Sequence, residues 1–216
     1  MSDALAHEHH HSHHFASAGD EFEACKQGMW VFLVTEVLMI GALFVAYGIF
    51  RGLYPEAFHE AHQFLNWKLG ATNTVILILS SLTMVLGVIS TQRGQRDRAL
   101  GYLGLTFLLA CGFLVVKYIE YSAKIHHGLL PGGLFTNEEL KHVPKASLFF
   151  SLYFVMTGIH ALHVIIGMGL MTWIMKRTAN KEFGPEYYTP VELVGFYWHF
   201  VDLVWIYLFP LLYLVG

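Results

Sequence analysis

Two short runs place ionisable side chains inside what would otherwise be unbroken apolar helix. GFYWHFVDLVWIYLFP (195–210) carries His199 and Asp202, and TGIHALHVIIG (Thr157–Gly167) carries His160 and His163. Each pair is spaced i, i+3, which puts both members on one helix face. GMWVFLVTEVLMIGALFVAY (28–47) adds Glu36, and VVKYIEY (115–121) adds Lys117 and Glu120, again three apart. An Asp at the centre of a bilayer costs about 2.5–3.5 kcal/mol on insertion scales, so such groups face the bundle interior and find partners there. Acids and imidazoles in that setting can relay protons, bridge helices by hydrogen bonds, contact bound lipid, or ligate a metal.

The residue types separate these options only in part. A bis-imidazole haem needs histidines on facing helices, which His160 or His163 opposite His199 could supply. Against this, His160 and His163 share one helix and cannot take both axial positions, and Asp202 beside His199 points to hydrogen bonding. A copper site wants His converging with Cys or Met; Cys25 and Cys111 are the only cysteines and are isolated, too few for a thiolate zinc cage or a disulfide framework. No metal site emerges, and no catalytic residue is assigned. The preferred reading makes His160, His163, His199 and Asp202 an interhelical network between the fourth and fifth spans. Lys117 and Glu120 read as a snorkelling ion pair near a span end. Glu36 stands eight residues in from Gly28, about 12 Å deep. It has no cation in its own span and reads as a mostly protonated functional acid, a candidate for proton uptake.

The elements that must position these groups follow from composition. Of 216 residues, 55% are hydrophobic and only 13% charged, with mean hydropathy +0.49; soluble domains run near 25% charged. Five stretches reach the roughly 20 apolar residues a span requires: about 28–50, 71–91, 99–121, 147–175 and 191–214. The expectation is an all-α integral membrane bundle of five transmembrane helices, residues 28–216, behind a His-rich flexible tail, 1–27. No internal repeat or pair of halves suggests a transporter. The tail's HEHHHSHH (7–14) can bind a transition metal, but without a second ligand group it reads better as a solvated segment. It has no signal-type apolar core, so the first span is expected to serve as its own insertion signal. A net charge of −3 without a basic face excludes nucleic acid.

Five spans put the termini on opposite sides. With the N-terminus inside, Lys26, Arg93, Arg96, Arg98, Lys176, Arg177 and Lys181 lie inside, against Arg51, Lys68, Lys124, Lys141 and Lys145 outside. Seven against five follows the positive-inside rule and predicts N-inside, C-outside. Gly158, Gly167 and Gly169, with Gly101, Gly104 and Gly112, are expected to let helices approach. Trp67, Trp173, Trp198 and Trp205 lie mostly near span ends in the manner of interfacial anchors, with simple packing the accepted reading for each.

Taken in order, GMWVFLVTEVLMIGALFVAY, NTVILILSSLT (73–83), KYIEY (117–121), TGIHALHVIIG and FYWHFVDLVWIYLFP (196–210) resemble subunit III of the haem–copper terminal oxidases, from Gln27 to Gly216. The resemblance implies a helical, non-redox subunit of a proton-translocating cytochrome c oxidase in a bacterial inner membrane. Haem and copper would reside in partner subunits. The main contact would be subunit I, with subunit II and a small subunit IV as further partners, and the roles would be assembly, stability and proton uptake during O₂ reduction. Many members have seven helices, the first two forming a cleft for phospholipid; this chain resembles the short five-helix form, leaving the cleft open to question. By the same resemblance Glu36 matches the family's buried acid, while His160, His163, His199, Asp202 and Glu120 match its polar positions. Lys117 stands where a glutamine is more usual. The rival readings are subunit III of a quinol oxidase, an accessory subunit of nitric oxide reductase, and a stand-alone membrane b-type cytochrome.

Overall fold

The computed structural model describes residues 18–215 except Glu139 and Lys141; the His-rich head, and Lys141 of the charge count, lie outside the described residues. Six α-helices follow in order: α1 Ala18–Leu53, α2 Pro55–His62, α3 Trp67–Gln92, α4 Arg96–His126, α5 Ala146–Ala179 and α6 Thr189–Phe209. A π-turn, Pro210–Leu214, prolongs α6. Five stretches are long and apolar enough to cross a membrane: Gly19–Leu53, Trp67–Gln92, Arg96–His126, Ala146–Ala179 and Thr189–Leu214.

The helices outrun the apolar runs that announce them. α1 has 36 residues, about 54 Å against a hydrocarbon core of about 30 Å. It starts ten residues before Gly28, so 18–27, expected as tail, is helix. Asp20 and Glu21 favour its N-terminus through the dipole. Phe22 meets the ring of Tyr188 edge-on at 6.3 Å, and Lys26 pairs with Glu192 of α6 at 3.4 Å. Between the first two spans lies α2, eight residues started by Pro55. Its buried Phe58 meets Tyr47 and Phe149 edge-on at 5.2 and 5.4 Å. Asn66 caps α3, its side chain accepting from the Lys68 amide.

α3 to α6 close a four-helix ring, in which α3 packs on α4 and α6, and α5 completes it against both. α1 adds to the α5/α6 side with far fewer contacts. The ring is tied at one end by Arg96 at the start of α4, whose guanidinium donates to the carbonyls of Thr178 and Ala179 at the end of α5. Those carbonyls have no partner within their own helix, and a cation there also meets the negative end of the dipole. One glycine contact is decisive: a Cβ at Gly167 would stand 2.8 Å from the Trp198 ring. Gly101, Gly104, Gly112 and Gly169 have nothing within 4 Å of that position, so they do not mark close helix approaches. Trp198 and Trp205 are not interfacial anchors. Both are fully buried, and their indoles donate to Ser80 Oγ and Thr74 Oγ1 of α3 at 3.1 Å each.

Candidate functional site

The polar residues do not converge on one site. The four-residue network expected between the fourth and fifth spans does not form: the polar contacts fall in three places, of which one takes His163, another His199 and Asp202, and none His160.

The first joins α1 to α5. His163 Nε2 and Glu36 Oε2 are 3.0 Å apart, so the acid that lacked a cation in its own span has an imidazole partner on another. His163 Nδ1 lies 2.8 Å from the Ile159 carbonyl, which can only accept, so Nδ1 carries a proton. One further proton then lies between Nε2 and the carboxyl, as a neutral imidazole with a protonated acid or as an ion pair. Either way the unit carries no net charge, which is what its depth demands. Tyr197 supports it: its hydroxyl donates to the His163 carbonyl at 3.0 Å, and its ring stacks on His163 and Phe32. Beside this pair, α1, α5 and α6 line a groove of about 760 Å³. Phe22, Met29, Phe32, Trp173 and Tyr197 are among its walls.

The second joins α4, α5 and the C-terminal turn. Glu120 accepts from Lys117 Nζ and Lys124 Nζ at 2.8 Å each, and from the Tyr213 hydroxyl at 2.7 Å. Lys117 also donates to the hydroxyls of Tyr153 and Tyr213 at 3.0 and 3.2 Å. Lys117, Glu120 and Lys124 are at most 4% exposed. The snorkelling expectation therefore fails, because Tyr153, Tyr213 and Trp205 close their rings over the lysines. Lys124, counted among the outer loop charges, belongs to this cluster. Its spacing gave the signal: i+4 from Glu120 and i+7 from Lys117, all on one face.

The third joins α3 to α6, where His199 Nδ1 lies 2.7 Å from Ser81 Oγ. Asp202, one turn on, also faces α3. His160 joins none of these: its ring nitrogens have no hydrogen bond, and it sits between the rings of Phe113 and Trp205. The cavity it shares with His163 holds about 10 Å³, enough for a single water and far below a porphyrin. With His163 committed to Glu36 and His199 to Ser81, these imidazoles do not frame a haem. Among the described residues no three His, Cys, Asp or Glu side chains cluster as metal ligands.

A family model described as cytochrome c oxidase subunit III matches residues 3–216. Among curated relatives, the Corynebacterium diphtheriae cytochrome c oxidase subunit 3 is 33% identical, over 87% of this chain and 86% of its own length. The Pseudomonas putida cytochrome bo(3) ubiquinol oxidase subunit 3 is 29% identical, over 88% and 84%. A haem–copper oxidase subunit I+III of Aeropyrum pernix is 32% identical over 88% of this chain, which covers 22% of that longer protein.

Proposed function

This chain belongs to the cytochrome c oxidase subunit III family, and from that premise we propose that it is the non-redox subunit III of a proton-translocating cytochrome c oxidase in a bacterial plasma membrane. It supports assembly, stability and proton uptake of the catalytic subunit I while that subunit reduces O₂ to water. The observation that carries the reading is the family match through all five spans. The fused Aeropyrum relative supports subunit I as the principal neighbour, since there the two parts are one polypeptide. Subunit II and a small subunit IV complete the proposed complex, and haem and copper reside in the partner subunits.

The chain's own contribution is a part-buried Glu36–His163 pair and an apolar groove. Glu36 and His163 meet between α1 and α5, a contact placed to support proton uptake into subunit I. The groove beside them, walled by α1, α5 and α6, has the size and apolar lining to hold phospholipid chains. α1 thus supplies a wall that the five-helix form otherwise lacks. The N-terminus is placed inside. Removing buried Lys124 from the outer loops changes the charge count to seven against four, which supports that orientation.

Co-purification in mild detergent tests the reading: a tagged chain should bring down a haem-bearing subunit I, and a dinuclear copper domain in the accompanying subunit II would mark cytochrome c rather than quinol as donor. Haem bound stoichiometrically to this chain alone would overturn it.

A further inference from the structure

Asp202 is 3% exposed, and neither of its carboxylate oxygens has a hydrogen bond. The hydroxyls of Ser80 and Ser81 are the donors nearest to it. Ser80 Oγ gives its proton to the Leu77 carbonyl and accepts from Trp198, and the Ser81 proton is spent on His199 Nδ1 in the tautomer that protonates Nε2. Asp202 also lines a groove of about 450 Å³ between α3 and α6, with Ile78, Ser81, Leu82, His199 and Leu203. This groove is separate from the one beside α1, and Ile78, Leu82 and Leu203 are about half exposed along it.

Its depth decides what can fill it. Asp202 lies 13 residues from Thr189, at the middle of the 26-residue span Thr189–Leu214, about 20 Å from either end. Lipid headgroups and bulk water stay at the ends. An acyl chain reaches the groove but has no donor, and would leave the carboxylate orphaned in hydrocarbon, where a polar group is costly. A transmembrane helix satisfies both demands, covering the apolar flanks and bringing a donor to mid-depth.

We propose that the α3/α6 groove is the docking surface for a transmembrane helix of the catalytic subunit, and that this helix presents a hydrogen-bond donor (an Arg, Lys, Tyr, Trp, Ser or Thr side chain) to Asp202. The inference rests on the reading of this chain as an oxidase subunit. Asp202 is then a recognition residue, its missing partner supplied by the complex, and His199, held by Ser81, forms the groove wall beside it.

The test uses the whole complex, purified through a tag on the catalytic subunit. Retention of this chain should fall at least tenfold for Asp202→Leu and stay within about twofold for Asp202→Asn, which keeps an acceptor. Independently, a benzophenone side chain at Ile78 or Leu203 should photo-crosslink to the catalytic subunit in native membranes, while one at Leu108 or Val115 of α4 should not. If the unsubstituted chain never accompanies a haem-bearing subunit, the functional reading itself fails. If it does, but Asp202→Leu is fully retained, or the Ile78 and Leu203 probes capture only phospholipid, the docking assignment is overturned. Should Asp202→Leu be missing from membranes altogether, the crosslinking pattern decides alone.

Discussion

Removing Glu120 should damage this protein far more than removing either lysine bound to it. The cluster holds two ammonium groups and one carboxylate, formally +1, with all three side chains at most 4% exposed. Glu120→Gln leaves two buried lysines without a counter-charge, a formal +2, and weakens three charge-assisted hydrogen bonds at once. Breaking a buried pair by deleting one partner costs about 3–5 kcal/mol, and that is the expected loss. Lys117→Met makes the cluster neutral and leaves Glu120 bonded to Lys124 and Tyr213. The lost charge-assisted bonds to Glu120, Tyr153 and Tyr213, worth about 1.5–3 kcal/mol each, are offset by no longer burying an ammonium, so the net loss should be smaller than for Glu120→Gln. The double variant Glu120→Gln, Lys117→Met returns the formal charge to +1 and should recover part of the loss. The triple variant with Lys124→Met has no charge to bury and should approach wild type. Thermal or denaturant unfolding of the purified complex in one detergent reads this order. Equal damage from Lys117→Met and Glu120→Gln, or a triple variant worse than Glu120→Gln, would refute the charge argument.

Four further outcomes are expected. Gly167→Ala should cost about 1–3 kcal/mol, because its Cβ would meet the buried Trp198 ring at 2.8 Å. Gly169→Ala, with open space there, should be neutral or stabilise by up to about 1 kcal/mol; unfolding of the two variants side by side checks both. His160→Phe should be tolerated with unchanged stability, since the ring makes aromatic contacts but no hydrogen bond, and a large loss would show a hidden polar role. Glu36→Leu and His163→Leu should each weaken α1 packing by about 0.5–1.7 kcal/mol, and the double variant by no more than either, measured as protease access to the α1–α2 junction; additive losses would show that the two residues act separately. Between the end of α5 and the start of α6, the hydrogen bond from Arg177 holds the Glu182 carboxyl below its ordinary range. Its folded-state value is depressed, so the contribution is present above the ordinary carboxylate value and lost as pH falls through the lowered one. Amide exchange in 180–184 should therefore rise on acidification, and Glu182→Gln should abolish that dependence.

The spans were legible because bilayer thickness imposes a length and an apolar composition on each, and all five runs coincide with long helices. Helix ends were less legible. Outside the bilayer, capping and salt bridges such as Lys26–Glu192 carry a helix onward with no apolar run to announce it. α2 was missed for a related reason: eight residues with Ala57, Phe58 and Ala61 on one face fall far below any spanning threshold. Lys124 was misplaced because a lysine near a span end reads as a loop charge until the rings that cover it are known.

The pairing of the deep polar groups shows a limit of another kind. His160 and His163, and likewise His199 and Asp202, share a helix face, yet the members of each pair do not share a partner. At 100° per residue, positions three apart differ by about 60° around the axis. In a lipid-exposed surface helix that is one face. In a bundle, where each helix meets neighbours on two or three sides, 60° is enough to turn one side chain to a different helix. His163 thus meets α1 while His160 enters the core between Phe113 of α4 and Trp205 of α6. His199 meets a hydroxyl of α3, while Asp202, facing the same helix, makes no hydrogen bond to it and is left for a helix from outside the chain. Sequence spacing therefore identifies which residues must be satisfied at depth, and the angular order of the neighbouring helices decides by whom. Where that order supplies no neighbour, an unsatisfied group marks the side on which another polypeptide is expected.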